Sequence, residues 1–118
     1  MSDKWGQLLQ KLVSLTRAGK LSWNETVHGD EISTQLGEMK VEVQFFELID
    51  EYRLIVRDEF GKEIDAFTDD ELTSTGFISA GGVFASLFRT VKRQKSGADQ
   101  ALDNILRELD NLDDEVPF

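Results

Sequence analysis

The sequence predicts an α+β fold: a four-stranded antiparallel meander, with one N-terminal and two C-terminal helices covering one face of the sheet. Two observations predict this order. Apolar residues recur at helical spacing near both ends of the chain, and they alternate with polar residues between 31 and 66, as in half-buried strands. The chain of 118 residues has the size of one domain. We therefore expect a single α+β domain over 1–112 and an acidic, frayed tail over 113–118.

Each predicted element follows from its own pattern. The first helix has an apolar stripe and ends at Gly19; the stripe is Trp5, Leu8, Leu9, Leu12, Leu15 and Thr16. The four strands show alternation over 32–36, 39–45, 52–56 and 64–66. Two further helical stripes lie over 84–91 and 101–109. The segment 72–82 has no clear period and is predicted to be a mobile loop.

The same alternation predicts which side chains are buried. The apolar face of the sheet and the helices should form one core that includes Leu9, Val43, Leu54, Phe88 and Leu106. The opposite face carries charges of both signs and is expected to face water; its members are Lys40, Glu42, Arg53, Arg57, Glu63 and Asp65.

Charge is segregated along the chain. The net charge is −10, residues 82–97 hold four basic residues and no acidic one, and residues 98–118 hold seven acidic residues and one basic one. Because an acidic protein repels phosphates, we expect no direct binding of nucleic acid. The absence of cysteine excludes disulfides and thiol chemistry. The lack of cysteine and of a signal-peptide pattern at the N-terminus predicts a cytoplasmic location. No apolar run is long enough to span a bilayer, so we expect no membrane contact.

Three short segments are candidates for chemistry, and each has a structural explanation. His28 is the only histidine and lies in a turn-like segment without a nucleophile-elbow pattern. The acidic run 69–71 lacks the spacing of a calcium loop, and one of its aspartates is expected to cap a helical turn at Leu72. Gly81 and Gly82 precede a helix but lack the lysine and hydroxyl of a P-loop, which favours a hinge or helix cap. Anion binding at this helix start is left as an alternative. We predict no catalytic residue, no metal ligand and no cofactor, hence a protein that is not an enzyme.

A basic cluster and a tryptophan are the candidate partner-binding residues. Arg89, Lys92, Arg93 and Lys95 are concentrated on the helix over 84–91 and just beyond it, and Arg89 and Arg93 should point away from its apolar stripe. They could recognise an acidic partner, or they could offset the helix dipole and the acidic sheet. Trp23 is large enough to anchor an interface.

The order of helix, meander and final amphipathic helix resembles that of small acidic bacterial proteins of uncharacterised function. The resemblance is carried by the apolar stripe of the helix over 98–109 and by the hairpin at 58–61. By size and acidity the chain is also similar to secretion chaperones, which bind unfolded effector segments as dimers. It departs from them because they insert a helix within the sheet, whereas these four strands are continuous.

These exclusions leave a non-enzymatic protein-binding module as the expected function, either an immunity-type inhibitor or an adaptor. Its acidic surface would steer it towards a basic partner, whose identity the sequence does not give. One alternative is a DNA mimic that occupies a nucleic-acid-binding protein. The other is a small-ligand or nucleotide-binding protein that uses the loop at 72–83. A homodimer is left open.

Overall fold

The computed structural model describes residues 4–26 and 29–115. Within them the chain is an α+β structure with a five-stranded antiparallel sheet and four α-helices. In chain order the elements are α1 (Lys4–Arg17), β1 (Asn24–Glu25), β2 (Glu31–Leu36), β3 (Met39–Phe46), a short 3-10 helix (Glu47–Ile49), β4 (Glu51–Arg57), β5 (Glu63–Thr68), α2 (Asp69–Ser74), α3 (Ala80–Ser96) and α4 (Ala98–Glu115).

The sheet confirms the α+β class and corrects the number of strands. Its order is β1-β2-β3-β4-β5, so neighbours in sequence are neighbours in space and the meander is as expected. The added strand is β1, in which Asn24 pairs with Ser33 and Glu25 with Ile32. Two residues are too few to show alternation, so the sequence pattern does not reveal this strand.

One row of side chains crosses the sheet and forms its buried face. Ile32 pairs with Val43 and Val43 with Leu54. Leu54 in turn pairs with Phe67 on β5. All four are buried, because directly opposed residues of antiparallel strands share one face.

A register shift between β4 and β5 changes the face of one predicted residue. Arg57 pairs with Glu63 while Val56 pairs with Asp65, so the pairing shifts by one residue between them. Such a bulge moves the following side chains to the other face. Asp65 therefore lies on the helix-covered face, where the indole N–H of Trp5 donates to its Oδ2 at 2.9 Å. Asp65 is exposed to water, as predicted, but it does not share a side of the sheet with Glu63.

Aromatic side chains join the helices to the sheet. Trp5 of α1 stacks on Phe67 with ring centroids 4.9 Å apart. Phe84 of α3 stacks on Tyr52 of β4 at 5.4 Å and lies 6.4 Å from Phe67. Phe88 is buried beside it, as predicted. These contacts place α1 and α3 over the sheet, and Leu9, Val43 and Leu54 are buried between the layers, as predicted.

The segment predicted as a loop over 72–82 is helical at both ends, and only 75–79 connect α2 to α3. Thr68 caps α2: its hydroxyl accepts from the backbone N–H of Glu71 at 3.1 Å, and the Glu71 carboxylate accepts from the N–H of Thr68 at 3.3 Å. Leu72 is fully buried, and α3 begins at Ala80. The cap is thus Thr68, not one of the two aspartates after it. A six-residue helix is too short for a period, but its Thr-x-x-Glu capping box is visible in the sequence.

The last helix does not cover the sheet. Every residue from 99 to 113 is exposed, and Leu106, predicted in the core, is 57% exposed. The chain measures 63 × 32 × 27 Å, and its radius of gyration is 18.1 Å against about 13 Å expected for a compact domain of this length. α4 is therefore an arm that extends from a body formed by residues 4–96. It continues to Glu115, so residues 113–115 of the predicted tail are helical.

Candidate protein-binding surface

A glycine separates the arm from the body. Gly97 has φ 71°, a left-handed conformation that costs glycine little, and its N–H donates to the carbonyls of Arg93 and Gln94. Its own carbonyl accepts from the N–H of Ala101 at 3.0 Å, which starts the next helix. Across the break, the Arg93 guanidinium donates to Asp99 Oδ1 at 2.7 Å. α3 therefore ends within one residue of the start of α4.

The arm has an apolar stripe with no cover in the structure. We call it the α4 stripe, and its members are Leu102, Ile105, Leu106, Leu109 and Leu112. Each of the five is between 49% and 57% exposed. At about 100° per residue their side chains lie within an arc of about 120°. Spacings of three and four residues are those by which an amphipathic helix anchors in an apolar groove.

Acidic side chains follow one edge of the α4 stripe. Asp99, Asp103 and Asp110 lie within about 40° of one another on the helical projection, beside Leu106, and we call them the acidic border. Across the stripe, Glu108 lies near the other edge. The face opposite the stripe carries the amides Gln100, Asn104 and Asn111, and Arg107 lies between this face and the acidic border. Asp113 projects within the arc of the stripe itself, near its C-terminal end. The carboxylates of residues 98–113 thus lie in or beside the apolar surface.

The sequence pattern contained the α4 stripe but gave it the wrong role. The helical spacing of these residues predicts a helix face that packs in the core. The structure instead leaves Leu106 exposed with the rest of the stripe. Amphipathic spacing identifies the apolar face of a helix, but it does not say whether the same chain covers that face.

The basic residues predicted to bind a partner are exposed but have neighbours in their own chain. Arg93 is bonded to Asp99 across the helix break. The Lys92 ammonium and the Glu25 carboxylate both lie beside Gly29, 3.4 and 3.7 Å from the point where a Cβ would stand there. Arg89 and Lys95 are also exposed. Neighbouring carboxylates favour the interpretation that these cations offset the chain's own negative field.

Trp23 lies in the core and not on the surface. It is 1% exposed, and its indole N–H donates to Thr16 Oγ1 at 2.8 Å. The Thr16 hydroxyl donates in turn to the carbonyl of Leu12 at 2.6 Å. Because the ring is enclosed and its N–H is bonded, Trp23 is not available to a partner, which corrects its prediction as a binding residue. His28 lies outside the described residues.

A groove of about 510 Å³ lies between α1 and α3, next to the predicted anion site. The residues that line it are Gln10, Val13, Ser14, Arg17, Ser79, Gly82, Val83 and Ser86. Arg17 donates to Ser86 Oγ at 2.6 Å across it. On the other side of the helix start, an Asp69 carboxylate oxygen lies 3.3 Å from where a Cβ of Gly81 would stand. A carboxylate of the chain thus already lies beside the positive end of α3, which disfavours an anionic ligand there.

One partly buried ion pair lies on the face of the sheet opposite the helices. Arg57 Nε donates to Glu42 Oε1, and Glu42 is 8% exposed. Burial works to raise the pKa of Glu42, but the hydrogen bond and charge of Arg57 outweigh it, so this pKa is lowered. The same hydrogen bond raises the pKa of Arg57. Both groups are therefore charged at neutral pH, and their arrangement stabilises the sheet without providing an acid or a base.

The described residues contain neither a cluster suited to a metal ion nor a helix suited to a membrane. No group of three or more His, Cys, Asp or Glu side chains is placed to hold a metal ion within 4–26 and 29–115. In the same ranges, none of the helices combines the length and apolarity required to cross a bilayer.

Comparison with known proteins gave no relative: no family model, no curated protein and no solved structure matches this chain. The resemblance to small acidic bacterial proteins therefore stays a prediction.

Proposed function

We propose that this chain is a non-enzymatic protein-binding module, an inhibitor or adaptor, and that α4 is its binding element. The observation that supports the proposal is the α4 stripe, five aliphatic side chains in one arc that nothing in the described chain covers. Soluble proteins rarely leave contiguous apolar surface in water unless it is a site of interaction. The body is the folded support that holds this helix away from the sheet.

The occupant that fits the stripe is an apolar groove on another protein. Binding in such a groove is favourable because it removes the exposed half of each leucine or isoleucine side chain from water. The four positions Leu102, Ile105, Leu106 and Leu109 have the i, i+3, i+4, i+7 spacing of helices that bind in grooves.

A second copy of the chain fits less well. Residues 98–118 hold seven acidic residues and one basic one, so two α4 helices packed together would bring like charges close to each other. The stripe also spans fewer than the three or four heptads that a stable two-stranded coiled coil usually needs. The repulsion between like charges and the short length of the stripe both oppose self-association. Neither opposes binding in a groove of opposite charge.

The test compares two variants that add the same charge to opposite faces of α4. Ile105→Asp with Leu109→Asp places two carboxylates in the stripe, whereas Asn104→Asp with Asn111→Asp places two on the amide face. Each tagged protein is used for affinity capture in its native host, and the captured partner is then identified, purified and titrated. We expect the stripe variant to lose at least about 100-fold in affinity, since a buried carboxylate without a partner is costly.

The matched control should change affinity by no more than a few-fold. Because both pairs of positions are exposed, both variants should keep the wild-type melting temperature. Equal affinity of the two variants for the purified partner contradicts the proposal. So does a wild-type chain that captures no stoichiometric protein. Binding that survives in the stripe variant but falls when Asp103 and Asp110 become asparagine would favour a DNA mimic instead.

A further inference from the structure

We infer that the groove which takes α4 carries basic side chains along one rim, the rim that meets the acidic border. This rests on the proposed function and adds the charge of the partner. Charge is distributed unequally around the α4 stripe, and the face opposite the stripe carries no carboxylate within 98–113.

The two edges of the stripe differ in charge. Asp103 and Asp110 are seven residues apart, so they project from the same edge about 10 Å apart along the axis. Asp99 begins this edge and is already bonded to Arg93 of the body. Near the opposite edge the comparable residue is Glu108. A bound helix would therefore place Asp103 and Asp110 against one side of a groove and Glu108 against the other.

The amide face makes this distribution informative. If the acidic residues of α4 served only solubility, the face opposite the stripe would be their best place, because it stays in water when the stripe is covered. That face holds Gln100, Asn104 and Asn111 instead, with Arg107 at its border, and none of these four is a carboxylate. Carboxylates at the edge of an apolar contact are partly desolvated on binding, which is favourable only if cations face them.

The experiment uses the full chain and three synthetic helical peptides of 21 residues as probes. All three share one layout. The first has a leucine stripe with lysines along one edge, the second replaces those lysines with glutamine, and the third keeps the lysines but replaces the leucines with serine. Binding of fluorescein-labelled peptide is measured by anisotropy at low and at high salt. We expect the first peptide to bind about tenfold tighter than the second at low salt, with the difference shrinking at high salt. The third should bind more weakly than either.

Two charge reversals locate the rim. Asp110→Lys should remove the tenfold preference for the lysine peptide, because it turns an attraction into a repulsion at the acidic border. Glu108→Lys makes the same change in charge near the other edge and should alter binding less than about twofold. Equal effects of the two reversals overturn the inference, because they would show a general field and not a rim.

The failures of the two proposals can be distinguished. If the glutamine peptide binds through the stripe as tightly as the lysine peptide, the basic rim is wrong and the docking function stands. If the serine peptide binds as tightly as the leucine peptides, the stripe is not a docking element, and both proposals fail. Sedimentation of the free chain as a concentration-dependent dimer at neutral pH would assign the stripe to a second copy, and it also overturns both.

Discussion

α3 and α4 are amphipathic helices of 17 and 18 residues separated by one glycine, yet only α3 buries its apolar face. Phe84 and Leu87 of α3 have no exposed surface, whereas each residue of the α4 stripe is about half exposed. Two neighbouring segments with similar patterns thus have different environments. Because the two helices have the same periodicity, the difference in burial comes from the surface that each helix packs against.

What α3 meets is the aromatic surface of the sheet. Phe84 and Phe88 lie 5.4 and 5.7 Å from the ring of Tyr52, and Phe84 also contacts Phe67. α1 covers the rest of this face, with Trp5 stacked on Phe67. When the chain reaches Gly97 the sheet is already covered. A second helix of the same period then finds this face of the sheet already occupied.

The largest expected effect is in the buried helix. Leu87→Ala should lower the free energy of unfolding by about 2–5 kcal/mol, because a fully buried leucine loses its contacts and leaves a cavity. Urea denaturation of wild type and variant measures the difference. A loss below about 1 kcal/mol would place α3 at the surface and remove the contrast between the two helices.

A smaller effect is expected from the ion pair of the sheet. Glu42→Gln replaces a charge-assisted hydrogen bond to Arg57 by a neutral one and should cost about 1 kcal/mol at pH 7. Because the folded-state pKa of Glu42 lies below its unfolded value of 4.5, this stabilisation is complete above that pH and is lost as the pH falls through the lower value. The stability difference between wild type and variant should therefore shrink in acid.

The matched control for the ion pair is Asp103→Asn, which removes an exposed carboxylate of the arm. It should change stability by less than about 0.5 kcal/mol at pH 7. Thermal unfolding of the three proteins between pH 2 and pH 7 gives the comparison, in the range where linkage acts on carboxylates. A constant difference between wild type and Glu42→Gln over this range would contradict the assigned role of Arg57.

Alternation and helical period predicted most of the body, because both follow from the geometry of a half-buried element. They placed Leu9, Val43, Leu54 and Phe88 correctly in the core. They missed β1 and α2, which are two and six residues long, because a period cannot be read from so few positions.

The remaining errors come from contacts between separate elements of the chain. Asp65 changed face because of a register shift that depends on how β5 pairs with β4. Trp23 proved to be a core residue because Thr16, seven residues away, accepts its N–H in the interior. The candidate site was missed for the same reason: the α4 stripe is visible in the sequence, but its exposure depends on α1 and α3 having covered the sheet.

The smallest expected effect is that of Leu106→Ala on the free chain. The side chain is 57% exposed, so its removal leaves no cavity, and alanine is at least as good a helix former as leucine. We expect a change in unfolding free energy of less than about 0.5 kcal/mol, far from the value for Leu87→Ala. With a partner bound, the same variant should lose about 1–2 kcal/mol of binding free energy, because the leucine then lies in the contact. A loss of 2 kcal/mol in the free chain would mean that the stripe is already covered in solution. The dependence of this loss on protein concentration would then show what covers the stripe. Stabilisation by a second copy increases with concentration, whereas stabilisation by packing against the body does not.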